Sequence, residues 1–177
     1  MNIVEQKLAM MAGGEKARLF GSGMAAITAA VMHFLNAGDH LIAIKNIYGP
    51  ANNLITVYLK KKMGIETTFV SGNDIDEYKK AIRPNTRLIY LESPSTAIFS
   101  IQDIPNICKL ARSKGIKTII DNTWASSIFQ KPLKMGVDLE VQSCSKYIGG
   151  HSDVVAGLVI GNSQDIDSIS VNEFELL

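Results

Sequence analysis

Short apolar runs alternate with longer amphipathic stretches along almost the whole chain of 177 residues. The runs HLIAI (40–44) and KTIID (117–121) are predicted strands, because they are short and apolar. Asp74 and Asp103 each precede an amphipathic stretch and are predicted helix N-caps. Strands that alternate with helices over short connections form parallel sheets with helices packed against them. The pattern therefore predicts an α/β fold: a mostly parallel sheet with helices on both faces.

The two ends of the chain carry further predictions. Near the C-terminus, residues 139–142 and the run VVAGLVIG (154–161) are predicted strands. No repeat, linker or low-complexity segment interrupts the pattern, so residues 1–177 are predicted to form one domain. An N-terminal amphipathic helix is predicted to end at Gly13-Gly14, with an apolar face made of Ile3, Val4, Leu8 and Met11.

The charge balance and the cysteines limit the classes of partner. A formal net charge of +1 gives no reason to expect nucleic acid or an anionic membrane as partner. No apolar run is long enough to span a bilayer, and Glu5 and Lys7 interrupt the region where a signal peptide needs apolar residues. Cys108 and Cys144 have no metal-ligand spacing. We therefore expect a cytoplasmic protein without a metal site.

Several chemically useful residues follow predicted strands, and ligands of open α/β sheets collect at the carboxyl ends of strands. Gly21-Ser22-Gly23 precedes a helix and could supply either a serine cap or backbone N–H groups for a phosphate. Asp121 could cap the next turn, or it could face a protonated heterocyclic nitrogen. Tyr48 could be a packed turn residue, or it could stack on a flat ring. Taken singly, each residue leaves both interpretations open.

Lys146 has the sharpest pair of alternatives. It could be a solvated turn lysine, or an amine in a desolvated pocket that forms a Schiff base with an aldehyde. Ser143 and Ser145 alternate with Cys144, so in an extended chain their hydroxyls point the same way and suit a phosphate. An amine, a phosphate site, an aspartate and an aromatic ring together indicate pyridoxal phosphate.

The motifs SGMAAI (22–27), LESPS (91–95), IDNTWA (120–125) and SCSKYIGGHSDVVAG (143–157) resemble those of the Cys/Met metabolism family of pyridoxal-phosphate enzymes. DNTW, together with ESP lacking a following Asn-Pro, looks most like the bacterial cystathionine β-lyase branch. The resemblance implies the large cofactor-binding domain of fold-type I enzymes, which are similar to aspartate aminotransferase. It also implies a cofactor site made of Gly23, Met24, Tyr48, Asp121, Ser143, Ser145 and Lys146.

The resemblance assigns each of these residues a role. Lys146 would hold the cofactor's aldehyde and later move the substrate's α-proton, and Asp121 would pair with the ring nitrogen. Tyr48 would stack on the ring and assist proton transfer. The phosphate would be bound by the Gly23 and Met24 N–H groups and the hydroxyls of Ser143 and Ser145.

The implied reaction is β-elimination from cystathionine or a related sulfur amino acid, which yields a thiol, pyruvate and ammonia. The alternatives are γ-elimination or γ-replacement in the same family, and a cofactor-binding fragment that does not turn over. Thr96 stands where family members commonly have an asparagine that contacts the cofactor hydroxyl. The family's Tyr-x-Arg segment and C-terminal domain have no counterpart in residues 1–177, so we expect a large domain truncated at both ends. Family members assemble as dimers and tetramers, and a homo-oligomer is expected here.

Overall fold

The computed structural model describes residues 3–176, which contain seven strands in one sheet. The strands are β1 (Lys16–Phe20), β2 (His40–Ile44), β3 (Glu66–Val70), β4 (Thr86–Glu92), β5 (Lys117–Asp121), β6 (Leu139–Ser143) and β7 (Gly157–Gly161). Their order across the sheet is β1-β7-β6-β5-β4-β2-β3. Strands β6, β5, β4, β2 and β3 are mutually parallel, whereas β7 is antiparallel to both of its neighbours. The predicted mostly parallel sheet is confirmed.

Helices connect the strands, and four of those in residues 3–176 begin at a side-chain cap. Asp74 and Asp103 accept hydrogen bonds from the backbone of the helices that follow them, as predicted. A π-helical segment, Leu54–Leu59, lies between two short α-helices. The α-helices are α1 (Ile3–Ala12), α2 (Gly23–Phe34), α3 (Gly49–Asn53), α4 (Lys60–Met63), α5 (Ile75–Ala81), α6 (Ile104–Ser113), α7 (Ser126–Phe129) and α8 (Ser163–Asn172).

Apolar clusters lie on both faces of the sheet, which confirms the predicted arrangement of helices. Alternate residues of a strand point to opposite faces. On β1, Ala17 packs with α1 in the smaller cluster, whereas Phe20 belongs to the larger cluster, which includes α2, α6 and α8. Within residues 3–176, no helix combines the length and apolar character that a membrane span requires.

The structure corrects the predicted apolar face of α1. Ile3, Val4 and Met11 are exposed, and of the predicted face only Leu8 packs against the sheet, beside the buried Ala9 and Ala12. Small side chains let the helix approach the sheet closely, and Glu5 beside them accepts a hydrogen bond from the Leu19 N–H at 3.0 Å. Spacing alone predicted the helix, but the identity of its buried side depends on the surface it meets.

The last predicted strand begins three residues later than expected. Val154 and Val155 are exposed and precede β7, which starts at Gly157. Gly157 pairs with Ser143, the last residue of β6. Residues 154–156 extend beyond the end of the partner strand and have no ladder to join, although their sequence favours a strand.

Candidate active site

A cavity of about 410 Å³ opens at the carboxyl ends of the parallel strands β4, β5 and β6. Its volume falls in the range of roughly 300–1,000 Å³ that is usual for small-molecule sites. The structure brings together at this cavity all seven predicted site residues, namely Gly23, Met24, Tyr48, Asp121, Ser143, Ser145 and Lys146.

The N-terminus of α2 forms one wall of the cavity. Ser22 caps the helix, because its hydroxyl accepts a hydrogen bond from the Ala25 N–H at 3.0 Å and its carbonyl accepts one from Ala26 at 3.2 Å. The first N–H groups of a helix lack intrahelical partners, so the N–H groups of Gly23 and Met24 remain available. The structure confirms the serine cap, and the capped helix end presents backbone donors to the cavity; the phosphate site stays a prediction.

Gly23 and Ser143 meet at the same wall. A Cβ atom on Gly23 would lie 2.9 Å from the Ser143 Cβ and 3.0 Å from its Oγ. Only glycine at position 23 allows this approach. The Ser143 hydroxyl forms no hydrogen bond to another residue in the described range 3–176. The Ser145 hydroxyl bridges the Ala156 N–H and carbonyl at 3.2 and 3.4 Å while lining the cavity.

Asp121 lies at the end of β5 and is almost completely buried. Its Oδ1 atom accepts a hydrogen bond from the Thr123 N–H at 2.9 Å, so the predicted turn-capping role is real. Burial raises the pKa of the Asp121 carboxyl, and the hydrogen bonds from Thr123 oppose that rise. Thr123 Oγ1 also accepts a hydrogen bond from the Ser143 N–H at 2.8 Å. A buried carboxyl group at a cavity wall is suited to a cationic partner, which would stabilise its ionised form.

Tyr48 enters the site from the turn before α3, and Glu92 holds that turn. The Tyr48 N–H donates a hydrogen bond to Glu92 Oε2 at 2.7 Å. Glu92 is buried at the end of β4, and its Oε1 is bound by the hydroxyl of Thr96. Burial raises the pKa of Glu92 to about 7, against hydrogen bonds from Thr96 and Tyr48 that favour the ionised form. Glu92 belongs to the LESPS motif (91–95), but sequence reasoning gave it no role of its own.

Lys146 lines the cavity from the turn that follows β6, and its side chain is exposed. The turn is closed by hydrogen bonds from Gly149 to the Cys144 carbonyl at 2.8 Å and from Gly150 to the Lys146 carbonyl at 2.8 Å. Residues 3–176 therefore place the amine at the cavity without enclosing it. The desolvated pocket considered from the sequence is not formed by this part of the chain.

Three aromatic rings lie side by side at the cavity mouth. Trp124 is 5.0 Å from Phe99 and 5.8 Å from Tyr147, measured between ring centroids. Trp124 and Tyr147 line the cavity, and all three side chains are about half exposed, at 52%, 53% and 58% for Trp124, Phe99 and Tyr147. Sequence reasoning missed this cluster, because Phe99 comes from a loop after β4 whose path the sequence does not reveal.

Comparisons with known proteins bear directly on this site. Residues 1–174 match the family described as Cys/Met metabolism PLP-dependent enzymes, PLP being pyridoxal phosphate. The chain belongs to this family. The Cys/Met metabolism family is PLP-dependent, so the cofactor of this chain is pyridoxal phosphate.

Two curated relatives and one solved structure illustrate the similarity. Cystathionine gamma-lyase of Bacillus subtilis is 42% identical over 163 residues, which are 92% of this chain and 42% of that protein. Cystathionine beta-lyase MetC of the same organism is 38% identical over 163 residues, covering 92% of this chain and 41% of that protein. The crystal structure of metB from Corynebacterium glutamicum has a TM-score of 0.90 and 40% identity, over 94% of this chain and 43% of that one.

These relatives confirm the family and the fold. The chain spans about two fifths of the length of the curated relatives, at 42% and 41%. Relatives named as γ-lyase and as β-lyase have similar identities to this chain, 42% and 38%, so sequence identity assigns the family but does not separate its β- and γ-specific members.

The residues present at the cavity fit pyridoxal phosphate. The open N–H groups of α2 and the Ser143 hydroxyl form a cradle that a side chain on Gly23 would fill, as a phosphate requires. Asp121 offers a buried carboxylate to a protonated ring nitrogen. Lys146 offers an amine to the aldehyde, and Tyr48 an aromatic ring.

Proposed function

We propose that this chain forms the cofactor-binding part of a carbon–sulfur lyase that acts on cystathionine or a related sulfur amino acid by β-elimination. One observation supports the proposal most strongly. A lysine amine, a buried aspartate and a glycine–serine cradle at a helix N-terminus line a single cavity, although they are far apart in the sequence. In cystathionine, β-elimination breaks the Cβ–S bond and, with water, gives homocysteine, pyruvate and ammonia.

When bound, pyridoxal phosphate supplies an aldehyde that condenses with amines and a ring that accepts electron density from the substrate's α-carbon. Lys146 Nζ would hold the aldehyde and would serve as the base for the substrate's α-proton. Asp121, whose carboxylate accepts the Thr123 N–H, would pair with the protonated ring nitrogen. The Gly23 and Met24 N–H groups and the hydroxyls of Ser143 and Ser145 would bind the phosphate, and Tyr48 would stack on the ring.

The cofactor assignment is tested by adding pyridoxal phosphate to the purified protein. The expected result is a stable visible absorption band that dialysis does not remove. Lys146→Ala abolishes the band, because no amine remains to hold the aldehyde. Lys61→Ala, which replaces an exposed lysine of α4 that does not line the cavity, keeps the band. A colourless wild-type protein, or an unchanged band in Lys146→Ala, contradicts the proposal.

The main alternative is γ-elimination or γ-replacement, which the similarity to cystathionine gamma-lyase favours. Incubation with cystathionine separates the two eliminations by their products. Homocysteine with pyruvate indicates β-elimination, and cysteine with 2-oxobutyrate indicates γ-elimination.

The exposed position of Lys146 supports a third hypothesis, in which residues 1–177 bind the cofactor without turnover. A bound cofactor with no α-keto acid formed at any protein concentration is the result that this reading predicts.

We also propose that the protein works as a homo-oligomer of two or four chains. The aromatic residues Phe99, Trp124 and Tyr147 are about half exposed beside Lys146, where a second chain could cover the cavity. Light scattering during size-exclusion chromatography measures the mass directly. A monomer mass at all concentrations excludes the oligomer.

A further inference from the structure

Glu92 occupies a position that the family reaction, as set out above, does not use. It ends β4 in register with Asp121 at the end of β5, so the two carboxyl groups lie on the same face of adjacent parallel strands. Both residues are buried, at 8% and 7% exposure, and both line the cavity. Two neighbouring carboxylates in a buried site cannot both ionise easily, and a proton on one of them relieves their repulsion.

The hydrogen bonds around each carboxyl group indicate which one carries that proton. Asp121 accepts the Thr123 N–H at 2.9 Å, and Thr123 Oγ1 accepts the Ser143 N–H at 2.8 Å. Because Thr123 Oγ1 already accepts a hydrogen bond, its hydroxyl proton remains for donation towards Asp121, and both groups of Thr123 lower the pKa of the Asp121 carboxyl against the effect of burial.

Glu92 has a different set of partners. Its Oε2 accepts the Tyr48 N–H at 2.7 Å, and its Oε1 contacts the Thr96 hydroxyl. The Thr96 hydroxyl donates to Oε1 when Glu92 is ionised. Thr96 Oγ1 forms no other hydrogen bond in residues 3–176, so the hydroxyl can rotate and accept the proton of a protonated Glu92. Both contacts of Glu92 thus persist when the group is protonated.

Other titratable groups surround Glu92. Asp121 faces it from β5, and the phenol of Tyr90 lies on its own strand two residues away, buried without a hydrogen-bond partner among the described residues. The Tyr48 phenol and the Lys146 amine line the same cavity. The two carboxyl groups raise the pKa of Tyr90 further above the effect of its burial, so this phenol stays neutral and does not neutralise either carboxylate.

We propose that Glu92 is a positioning residue that carries the proton of the Glu92–Asp121 pair, and that it thereby keeps the negative charge on Asp121 while joining the Tyr48 turn to Thr96. The role rests on the proposed cofactor site, since Asp121 needs its charge for the ring nitrogen. Loss of the Glu92 proton would add a second negative charge beside an anionic ligand and weaken its binding.

The first test uses the cofactor-free protein and does not depend on turnover or cofactor uptake. Infrared difference spectra, recorded against pH, should show a protonated carboxyl band that disappears with a midpoint near 7, in line with the raised pKa of Glu92. The band should be missing in Glu92→Gln and present in Glu140→Gln. Glu140 is the matched control, because it is a buried carboxyl group with a raised pKa that does not line the cavity. A band unchanged in Glu92→Gln overturns the proposal.

The second test measures the dissociation constant of pyridoxal phosphate from pH 6 to pH 8.5. Glutamine copies the protonated form of Glu92, so the ratio of the wild-type constant to the Glu92→Gln constant should be near one at pH 6 and rise at least threefold by pH 8.5. Ionisation of the ligand affects both proteins equally, so it cancels in the ratio. Glu92→Ala, which releases Tyr48 and Thr96, should bind at least tenfold more weakly at every pH. A ratio independent of pH overturns the proposal.

The two tests separate the two proposals. If the protein takes up no pyridoxal phosphate, the proposed function fails while the infrared titration still decides which group carries the proton. If it binds the cofactor but the infrared band belongs to another residue, the role of Glu92 fails and the proposed function stands.

Discussion

The first residue of α2, Gly23, lies so close to the last residue of β6, Ser143, that a methyl group on Gly23 would come within 2.9 Å of the Ser143 Cβ. Contacts under 3.0 Å are essentially never made by real Cβ atoms, and Ser143 is fixed by its strand, so one element would have to move. The helix end and the serine are thus one binding surface, although 120 residues separate them.

Gly23→Ala is expected to weaken pyridoxal-phosphate binding at least tenfold, which corresponds to about 1.4 kcal/mol. The added methyl group fills the space between the two donors and displaces the N-terminus of α2. Fluorescence titration with the cofactor provides the measurement. Gly21→Ala is the matched control, since a Cβ there meets no atom within 4 Å. Equal affinities of the two variants would contradict this reading of the contact.

Asp121→Asn should make the cofactor-free protein more stable and the loaded protein less active. Because the pKa of Asp121 is raised in the folded protein, its carboxyl group keeps its proton to a higher pH there than in the unfolded chain. The contribution of this group to the free energy of unfolding is therefore present at low pH and is lost as the pH rises through the raised pKa. Asparagine does not ionise, so the variant keeps this part of the free energy of unfolding at pH 8. Its thermal midpoint should rise by about 2–4 °C for each kcal/mol of stability gained.

Turnover should fall by roughly 100-fold in the same variant, because a neutral amide does not stabilise charge on the ring nitrogen. Asp138→Asn gives the comparison: Asp138 accepts hydrogen bonds from Thr118 near the opposite ends of the same strands, so its replacement should lower the midpoint. If Asp121→Asn also lowered the thermal midpoint, burial of the Asp121 carboxylate would not destabilise the folded protein, and the prediction would be wrong.

Thr123→Val should destabilise the protein by about 1 kcal/mol, since the partly buried Ser143 N–H would lose its acceptor. Thr123→Ser keeps the hydroxyl and should recover most of the loss. Urea unfolding at constant pH measures both variants. If valine and serine behave alike, the stability of this turn comes from packing rather than from the hydrogen bond.

His40 should make stability depend on pH between about 4 and 6.5. Its ring nitrogens contact the hydroxyls of Thr86 at 2.7 Å and Thr68 at 2.8 Å, and burial, assisted by the Arg83 charge, lowers its pKa to about 4. In the unfolded chain His40 binds a proton near pH 6.5, whereas in the folded protein it stays neutral until about pH 4. The free energy of unfolding therefore decreases as the pH falls from 6.5 towards 4.

The measurement is the free energy of unfolding of wild type minus that of His40→Gln, at several pH values. The difference cancels the opposite trend that the buried carboxyl groups contribute. It should decrease by on the order of 1 kcal/mol from pH 7 to pH 5. His151→Gln, at an exposed position, should follow the wild type throughout. A difference that does not change with pH would mean that His40 titrates normally.

The sequence predicted the features that depend on neighbours along the chain. The caps Asp74 and Asp103 and the strand HLIAI need only local signals, and the structure confirms them. The seven site residues were found through a family resemblance, and the sheet then brings them to one cavity.

Features that depend on distant surfaces were missed. The buried side of α1 is set by the β1–β7 edge, and the start of β7 is set by where β6 ends. The exposure of Lys146 depends on which segments pack against its turn, and the spacing of residues along the sequence does not indicate them. The role of Glu92 requires its register with Asp121 together with the path of the Tyr48 turn, and no local pattern encodes that combination.

The register of the parallel strands has a consequence for how such enzymes change their chemistry. Glu92, Asp121 and Ser143 end three neighbouring strands, and adjacent strands lie about 4.8 Å apart. Backbone hydrogen bonds of the sheet thus set the spacing of the strand ends whose side chains line the cavity. Loops that follow these strands can change in sequence and length without altering that spacing. Changes in what the cavity binds can therefore come from the loops, while the sheet keeps the spacing of the strand ends.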